Sequence, residues 1–298
     1  MCRNGLFSCV VLFTMSGLCA AANAQDFSAA ISFGTGSVSV EGFDDDLSAR
    51  SLDVAFDADF GNGFFLGGDI SAQNLDVGGF IGNIDTTLLS IDGHYRFANG
   101  LTVGAYAQRI EVDQPFRAVE VSSRGVTFGY AAQRWGVEAF AGRSDFGDLD
   151  IEAEDYGVTA WALPNDRLTL GAAVVHSDID TSDRDPTLVR LAGVYDLSDR
   201  VTVFAGVDAL SFDEEDIYTV GLGVGYDLSR VIGYPAVVSV EFTHQSVDEM
   251  KIDGVELALT IPLGKVSSKA PLSSVAGHVL RPKRSALNGL YDTGVPLF

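Results

Sequence analysis

The sequence predicts an all-β protein, an antiparallel transmembrane β-barrel of about fourteen strands, with counts of twelve to sixteen also compatible. Apolar residues alternate with small or polar ones in segment after segment, as they do in a strand with one apolar face. Short turn signals recur at intervals of roughly 32 to 37 residues, the length of a hairpin with its loop. No internal window of about 18 apolar residues occurs, which disfavours a helical membrane bundle.

Residues 1–24 have the features of a secretory signal peptide. Arg3 precedes an apolar run from Leu6 to Ala21, and Ala22-Asn23-Ala24 fits the small-x-small cleavage pattern. A helical membrane anchor is the alternative, which the short apolar core disfavours. The chain's three cysteines all fall within this segment: Cys2, Cys9 and Cys19. Cleavage is therefore expected to leave a mature chain, from Gln25 onward, without thiols or disulfides.

The predicted barrel covers residues 25–264, and its clearest strand is Tyr218 to Leu228, in which every second residue is apolar. Comparable apolar faces run over 52–60, 89–97, 101–107, 126–130, 135–141, 168–174, 189–197, 201–207, 236–242 and 255–263. The pattern is ambiguous near 27–40 and 151–163, so the strand count is uncertain by two. A soluble sandwich or barrel is the alternative, but it would need to bury all these faces in one core.

Short turns alternate with longer acidic connections along the predicted barrel. The short turns are Gly61–Gly63, Ala98–Gly100, Ala132–Arg134, Pro164–Arg167, Ser198–Arg200 and Ser229–Tyr234, which we assign to the periplasmic side. The longer connections lie near 41–48, 74–84, 143–153, 178–187, 211–216 and 245–252, and we assign them to the outer side. Aromatic residues flank the short turns, where an interfacial girdle is expected: Phe60, Phe64, Tyr95, Phe97, Tyr130, Trp135, Tyr195 and Tyr226.

Residues 265–298 lose the alternation and form a basic tail. They carry five basic residues and one acid, a net charge of +4, whereas residues 25–264 carry 40 acids and 13 bases, a net charge of −27. We expect the tail to lie in the periplasm or to turn back into the barrel mouth.

These features resemble those of Gram-negative outer-membrane β-barrel proteins of porin-like type, including the terminal aromatic Phe298. The resemblance covers roughly residues 25–264 and implies a location in the cell outer membrane, with lipid and lipopolysaccharide as partners. It also implies a channel for the passive diffusion of small polar solutes or ions. A homo-oligomer is compatible with this class.

Charged residues opposite the apolar faces are the candidate pore lining. They are Asp53, Asp57, Asp69, Asp92, Arg96, Glu138, Arg190, Asp196, Asp208, Asp227 and Glu241. Because acids dominate this set, an open pore would prefer cations. The alternative is a closed structural or adhesive barrel whose interior is filled, in part by the basic tail. An acidic barrel also repels polyanions, so no nucleic-acid partner is expected.

One catalytic alternative is a lipid hydrolase. His244-x-Ser246 resembles the His-x-Ser element of outer-membrane lipid hydrolases, with Asp248 as a candidate orienting acid. Val247 and Asp248 replace the residues that usually follow, and a histidine at the headgroup level is the simpler interpretation. Asp178-x-Asp180-x-Ser182 lacks the glycine of a calcium loop. We therefore predict a non-enzymatic protein with no metal site and no cofactor.

Overall fold

The alternating segments form strands in the computed structural model, which describes residues 26–42, 46–77, 82–114, 117–147, 151–180, 185–212, 215–248, 250–264, 270–287 and 289. The strands are β1 (Asp26–Val40), β2 (Leu47–Asp59), β3 (Phe64–Asp76), β4 (Asn83–Arg96), β5 (Leu101–Gln114), β6 (Arg117–Ala131), β7 (Trp135–Asp145), β8 (Glu152–Asn165), β9 (Leu168–Ile179), β10 (Thr187–Asp196), β11 (Val201–Phe212), β12 (Glu215–Asp227), β13 (Val237–Val247) and β14 (Met250–Gly264). Short helices in the described part of the chain include α1 (Ser229–Ile232) and α2 (Val275–Leu280). The predicted signal peptide, Lys265, Lys269 and Phe298 lie outside the described residues.

Each strand pairs antiparallel with the next in sequence, and β1 pairs with β14 to close the barrel. Closure leaves no unpaired strand edge, so the backbone polar groups are satisfied within the sheet. The two segments with ambiguous patterns each form one strand, β1 and β8. The prediction of an antiparallel barrel with about fourteen strands is confirmed.

The outward face of the barrel carries large apolar side chains. Leu191, Leu222 and Phe242 are each more than half exposed, which is the arrangement of a face that contacts lipid. Inward positions in the middle of β12 and β13 are small or polar, as at Gly221 and Gly223. No helix in the described ranges is long and apolar enough to cross a membrane.

The polarity of the strands reverses toward the barrel end opposite the short turns, which we call the opposite end. In β5, Arg109 and Glu111 point outward, and Arg109 pairs with Glu120 at 2.7 Å. Ile110 and Val112, between and beyond them, are buried inside the barrel. They belong to an interior apolar cluster that also includes Leu88, Tyr106, Val121, Phe140, Val175, Leu188, Leu210 and Ile217. Toward the opposite end, the barrel therefore has a polar outer surface and an interior packed with apolar side chains.

This extension corrects several predicted outer loops. Strand β7 runs to Asp145 and β8 starts at Glu152, within the segment expected to be a loop near 143–153. Strand β11 reaches Phe212 and β12 starts at Glu215, and β13 and β14 similarly occupy most of 245–252. The strands stay paired in these segments because their inward apolar side chains pack into the interior apolar cluster.

Residues 270–287 lie inside the barrel, and we call them the luminal segment. Helix α2 packs against the inner faces of β9, β10, β11 and β12. Glycines in these strands make room for it: a Cβ at Gly206 would lie 2.7 Å from Val275 Cγ1, and one at Gly221 would lie 2.7 Å from Val275 Cγ2. The missing side chains let the helix lie directly on the barrel wall.

Candidate functional site

The lumen is the candidate site, and Arg281 of the luminal segment lies between two of the predicted lining carboxylates. Its guanidinium donates to Asp57 and, at 3.2 Å, to Asp69 on the neighbouring strand. Burial lowers the pKa of Arg281, but the two carboxylates raise it by more, so the net pKa shift is upward. The arginine therefore stays charged and crosslinks the segment to β2 and β3.

Arg284 attaches the luminal segment to a different part of the wall. Its guanidinium donates to Glu138 at 2.7 Å and lies over the Tyr106 ring, 4.9 Å from the ring centroid. Its backbone N–H donates to Gln108 Oε1 at 3.0 Å. Basic residues of the tail thus neutralise acids that strands place in the lumen.

Hydrogen bonds complete the attachment. The backbone N–H of Val275 donates to Glu241 at 3.1 Å, and Ser273 Oγ donates to Glu256 at 3.0 Å. Lys283 is buried and lines the same small cavity as Asp53. The segment therefore contacts carboxylates on both sides of the lumen.

A cavity of about 220 Å³ remains between the luminal segment and the strands β1–β5 and β12–β14. Ser273, Val275 and His278 of the luminal segment line it on one side. Other lining residues continue toward the opposite end of the barrel, among them Val38 and Ile84. We call this space the luminal cavity.

The remaining predicted lining residues fall into two groups. Arg190 and Asp208 form a buried ion pair at 3.2 Å across β10 and β11. Asp92 lies 3.8 Å from His94. The second group lies at strand ends beside the short turns. Asp196 accepts from Thr202 and Asp227 accepts from the backbone of Ser229, whereas the Arg96 guanidinium lies 4.5 Å from the Phe65 ring centroid. These three residues stabilise the end of the barrel that carries the short turns. The pore-lining role of all the predicted lining residues stays a prediction.

Several polar residues inside the barrel were not among the predicted site residues. Asp155 accepts from Ser144 and Ser177, and Glu256 faces Glu241 across β13 and β14. Thr219 and Gln245 line the luminal cavity. Continuing the strand alternation along β12, β13 and β14 would have placed Thr219, Gln245 and Glu256 inside, because a strand keeps one parity over its length. Asp155 lies in the segment whose pattern is ambiguous.

The residues of the hydrolase alternative do not form a triad. His244 Nδ1 lies 2.7 Å from Asp253 Oδ1, and Ser246 Oγ donates to the backbone oxygen of Asp248 at 3.5 Å. His244 is therefore paired with an acid on β14, while the Asp248 carboxylate has no bond to it. Across the described ranges, no group of three or more His, Cys, Asp or Glu side chains is arranged to hold a metal ion.

The sequence model of a family described as Gram-negative porin matches residues 20–215, more than half of the chain. The comparison with curated proteins gives no match.

Three solved structures are similar to this one over most of both chains. A FadL homologue from Pseudomonas aeruginosa has a TM-score of 0.52 and 12% identity, over 80% of this chain and 90% of that one. The deltaS2S3 mutant of TodX, a monoaromatic hydrocarbon channel, has a TM-score of 0.54 and 10% identity, over 83% and 92%. CymD, a monoaromatic hydrocarbon channel, has a TM-score of 0.50 and 12% identity, over 83% and 90%. At these identities the likeness shows a shared barrel fold.

Proposed function

Since the chain belongs to the Gram-negative porin family and lies in the outer membrane, we propose that it is a channel for the passive diffusion of small polar solutes or ions, with a preference for cations. Family membership supports the coarser part, an outer-membrane channel. The preference for cations and the small size of the solutes are inferred from the charges and contacts inside the barrel. Transport of this kind needs no covalent chemistry.

The observation that carries the proposal is the excess of carboxylates inside the barrel. Arg281 and Arg284 compensate Asp57, Asp69 and Glu138. Other interior acids have no such partner: Glu241 and Glu256 accept only from hydroxyl or backbone groups among the described residues. A passage with uncompensated negative charge concentrates cations and excludes anions.

The luminal segment limits what can pass. It crosses the lumen beside the β9–β12 wall and leaves the luminal cavity on the other side. A wide aqueous pore is incompatible with this filling, so we propose that only small solutes pass while the segment is in place. Larger passage requires that the segment leaves its ion pairs.

Planar bilayer recording of the full chain tests this function. Under a tenfold KCl gradient, a reversal potential of the sign that indicates cation flux supports the proposal. Glu241→Gln replaces a luminal carboxylate by a neutral amide of the same size and should move the reversal potential toward zero. Glu111→Gln removes an exposed carboxylate on the outer surface and should not change the reversal potential. A reversal potential of the opposite sign would contradict the cation preference.

A closed structural or adhesive barrel is the second candidate. It is favoured by the interior apolar cluster, which fills the lumen toward the opposite end together with Ala286 and Leu287 of the luminal segment. Absence of conductance in the full chain, and also in a variant whose luminal segment is released, would favour this candidate over the channel.

A further inference from the structure

We propose that the luminal cavity is a binding site for a small organic cation that carries an apolar group and a hydrogen-bond acceptor. This proposal rests on the proposed channel function and names the class of solute that the channel would hold on its way. Three features of the cavity wall carry it: a pair of carboxylates, two buried polar groups that find no hydrogen-bond partner in the described part of the chain, and an apolar rim.

The carboxylates are Glu241 and Glu256, which are direct register partners on β13 and β14. Val275 N–H donates to Glu241, and the hydroxyls of Ser51 and Ser273 donate to Glu256. Within the described ranges no basic side chain forms an ion pair with either, in contrast to the arginine-paired carboxylates elsewhere in the lumen. A cation between two adjacent carboxylates in one cavity stabilises the charged form of both.

The second feature points to a ligand independently of charge. Thr219 and Gln245, register partners on β12 and β13, are 6% and 4% exposed and line the same cavity. Thr219 Oγ1 and Gln245 Nε2 have no hydrogen-bond partner among the residues that the structure describes. Buried polar atoms normally have one, and an amide nitrogen can only donate. A ligand that offers a carbonyl or hydroxyl oxygen would satisfy both groups.

The third feature is the apolar rim. Val38, Leu75, Ile84 and Val112 line the cavity toward the opposite end, and Val275 closes it against the luminal segment. An entering solute therefore meets apolar side chains before it reaches the carboxylates. A hydrated metal ion gains nothing from such a wall, whereas an amine with an aliphatic group buries apolar surface there.

The test uses L-leucinamide, which has an ammonium group, an isobutyl group and a carbonyl oxygen. Its neutral analogue 2-hydroxy-4-methylpentanamide has nearly the same shape and lacks the charge. Titration calorimetry of the full chain in detergent should show saturable binding of leucinamide and binding at least tenfold weaker for the analogue. The variant E241Q/E256Q should weaken leucinamide binding about tenfold or more, while E111Q leaves it unchanged.

Gln245→Leu keeps the side-chain volume and removes the donor, and it should weaken leucinamide binding about fivefold. This variant keeps the proposal testable if E241Q/E256Q does not fold, and heat modifiability on gels establishes folding in each case. Equal binding of both probes, no saturable binding, or unchanged affinity in folded E241Q/E256Q or Gln245→Leu would overturn the proposal. Conductance of the wild-type chain without leucinamide binding would contradict the proposed binding site and support the channel function. Leucinamide binding without conductance would contradict the channel function and support a barrel that binds a ligand without transporting it.

Discussion

Removing Arg281 and Arg284 together should release the luminal segment from the barrel wall. The double variant R281A/R284A deletes the ion pairs to Asp57, Asp69 and Glu138. It also leaves Asp57 and Asp69 without the arginine that contacts both of them, which adds repulsion between these two carboxylates.

The magnitude follows from the burial of each pair. Arg284 and Glu138 are 13% and 22% exposed, so their charge-assisted hydrogen bond is worth about 1.5–3 kcal/mol. Arg281 is 31% exposed, and its partners Asp57 and Asp69 are 57% and 20% exposed, so each Arg281 pair is worth at most about 1 kcal/mol. The docked state should lose about 2–5 kcal/mol in all, which increases the undocked-to-docked ratio about 30- to 4,000-fold.

Cysteine labelling measures this ratio directly. Ala276 in α2 is fully buried, and the mature chain is expected to contain no native cysteine, so Ala276→Cys provides a single reporter. A water-soluble maleimide should label it slowly in the otherwise native chain, and faster by the same factor in R281A/R284A. Single-channel open probability should rise in parallel.

The matched control is Arg230→Ala, which removes an exposed arginine in α1, outside the lumen. Its labelling rate should equal that of the parent reporter. A labelling rate in R281A/R284A no faster than in Arg230→Ala would refute the conclusion that ion pairs hold the segment.

Three further changes have defined outcomes. Gly206→Val overlaps Val275, so it should weaken docking by about 1–3 kcal/mol and speed labelling at the reporter cysteine. Val275→Ala in the same chain should restore only part of the protection, because the backbone carbon of Val275 would still lie 2.9 Å from the new Cβ. Arg190→Met leaves a buried carboxylate without its cation and should lower the free energy of unfolding in urea by about 3–5 kcal/mol, whereas adding Asp208→Leu should recover most of that loss. Leu222→Arg places a charge in the middle of the lipid-facing surface and should lower the free energy of unfolding in bilayers by about 2–4 kcal/mol.

Each change has its own control. Tyr234→Arg, in the turn after α1, should alter the unfolding free energy by less than about 0.5 kcal/mol, because Tyr234 lies outside the strands. Equal losses for Leu222→Arg and Tyr234→Arg would show that Leu222 does not face hydrocarbon. Additive losses at Arg190 and Asp208 would show that the pair is not coupled. Labelling of the Gly206→Val variant as slow as that of the parent reporter would show that the helix does not lie on the wall at Gly206.

The barrel could be predicted from local pattern because each strand shows its two faces within about ten residues. The alternation from Tyr218 to Leu228 indicates by itself which side of the strand faces lipid, and no distant residue is needed to see it. The strand extensions were missed for a local reason. At Arg109–Val112 the alternation continues but its polarity inverts, and this inversion is the signal that a strand has left the apolar belt.

The contacts of the luminal segment could not be predicted in this way. Arg281 meets Asp57 at a separation of 224 residues, and Arg284 meets Glu138 at 146. The opposite net charges of tail and barrel favour attraction, but they do not specify which carboxylate each arginine contacts. The position of α2 depends on the space that the glycines opposite Val275 leave on the barrel wall. Such shape complementarity produces no periodic pattern in the sequence.

The most direct test of the central claim compares two neighbouring positions on β13. Phe242 points outward and is 60% exposed, whereas Thr243 points inward and lines the luminal cavity. Phe242→Cys and Thr243→Cys, each labelled with an environment-sensitive fluorophore, are placed in bilayers with brominated lipid. Bromine should quench the label at 242 strongly and the label at 243 little. Equal quenching at both positions, or none at 242, would contradict a barrel whose outer face contacts lipid and whose inner face surrounds the luminal segment.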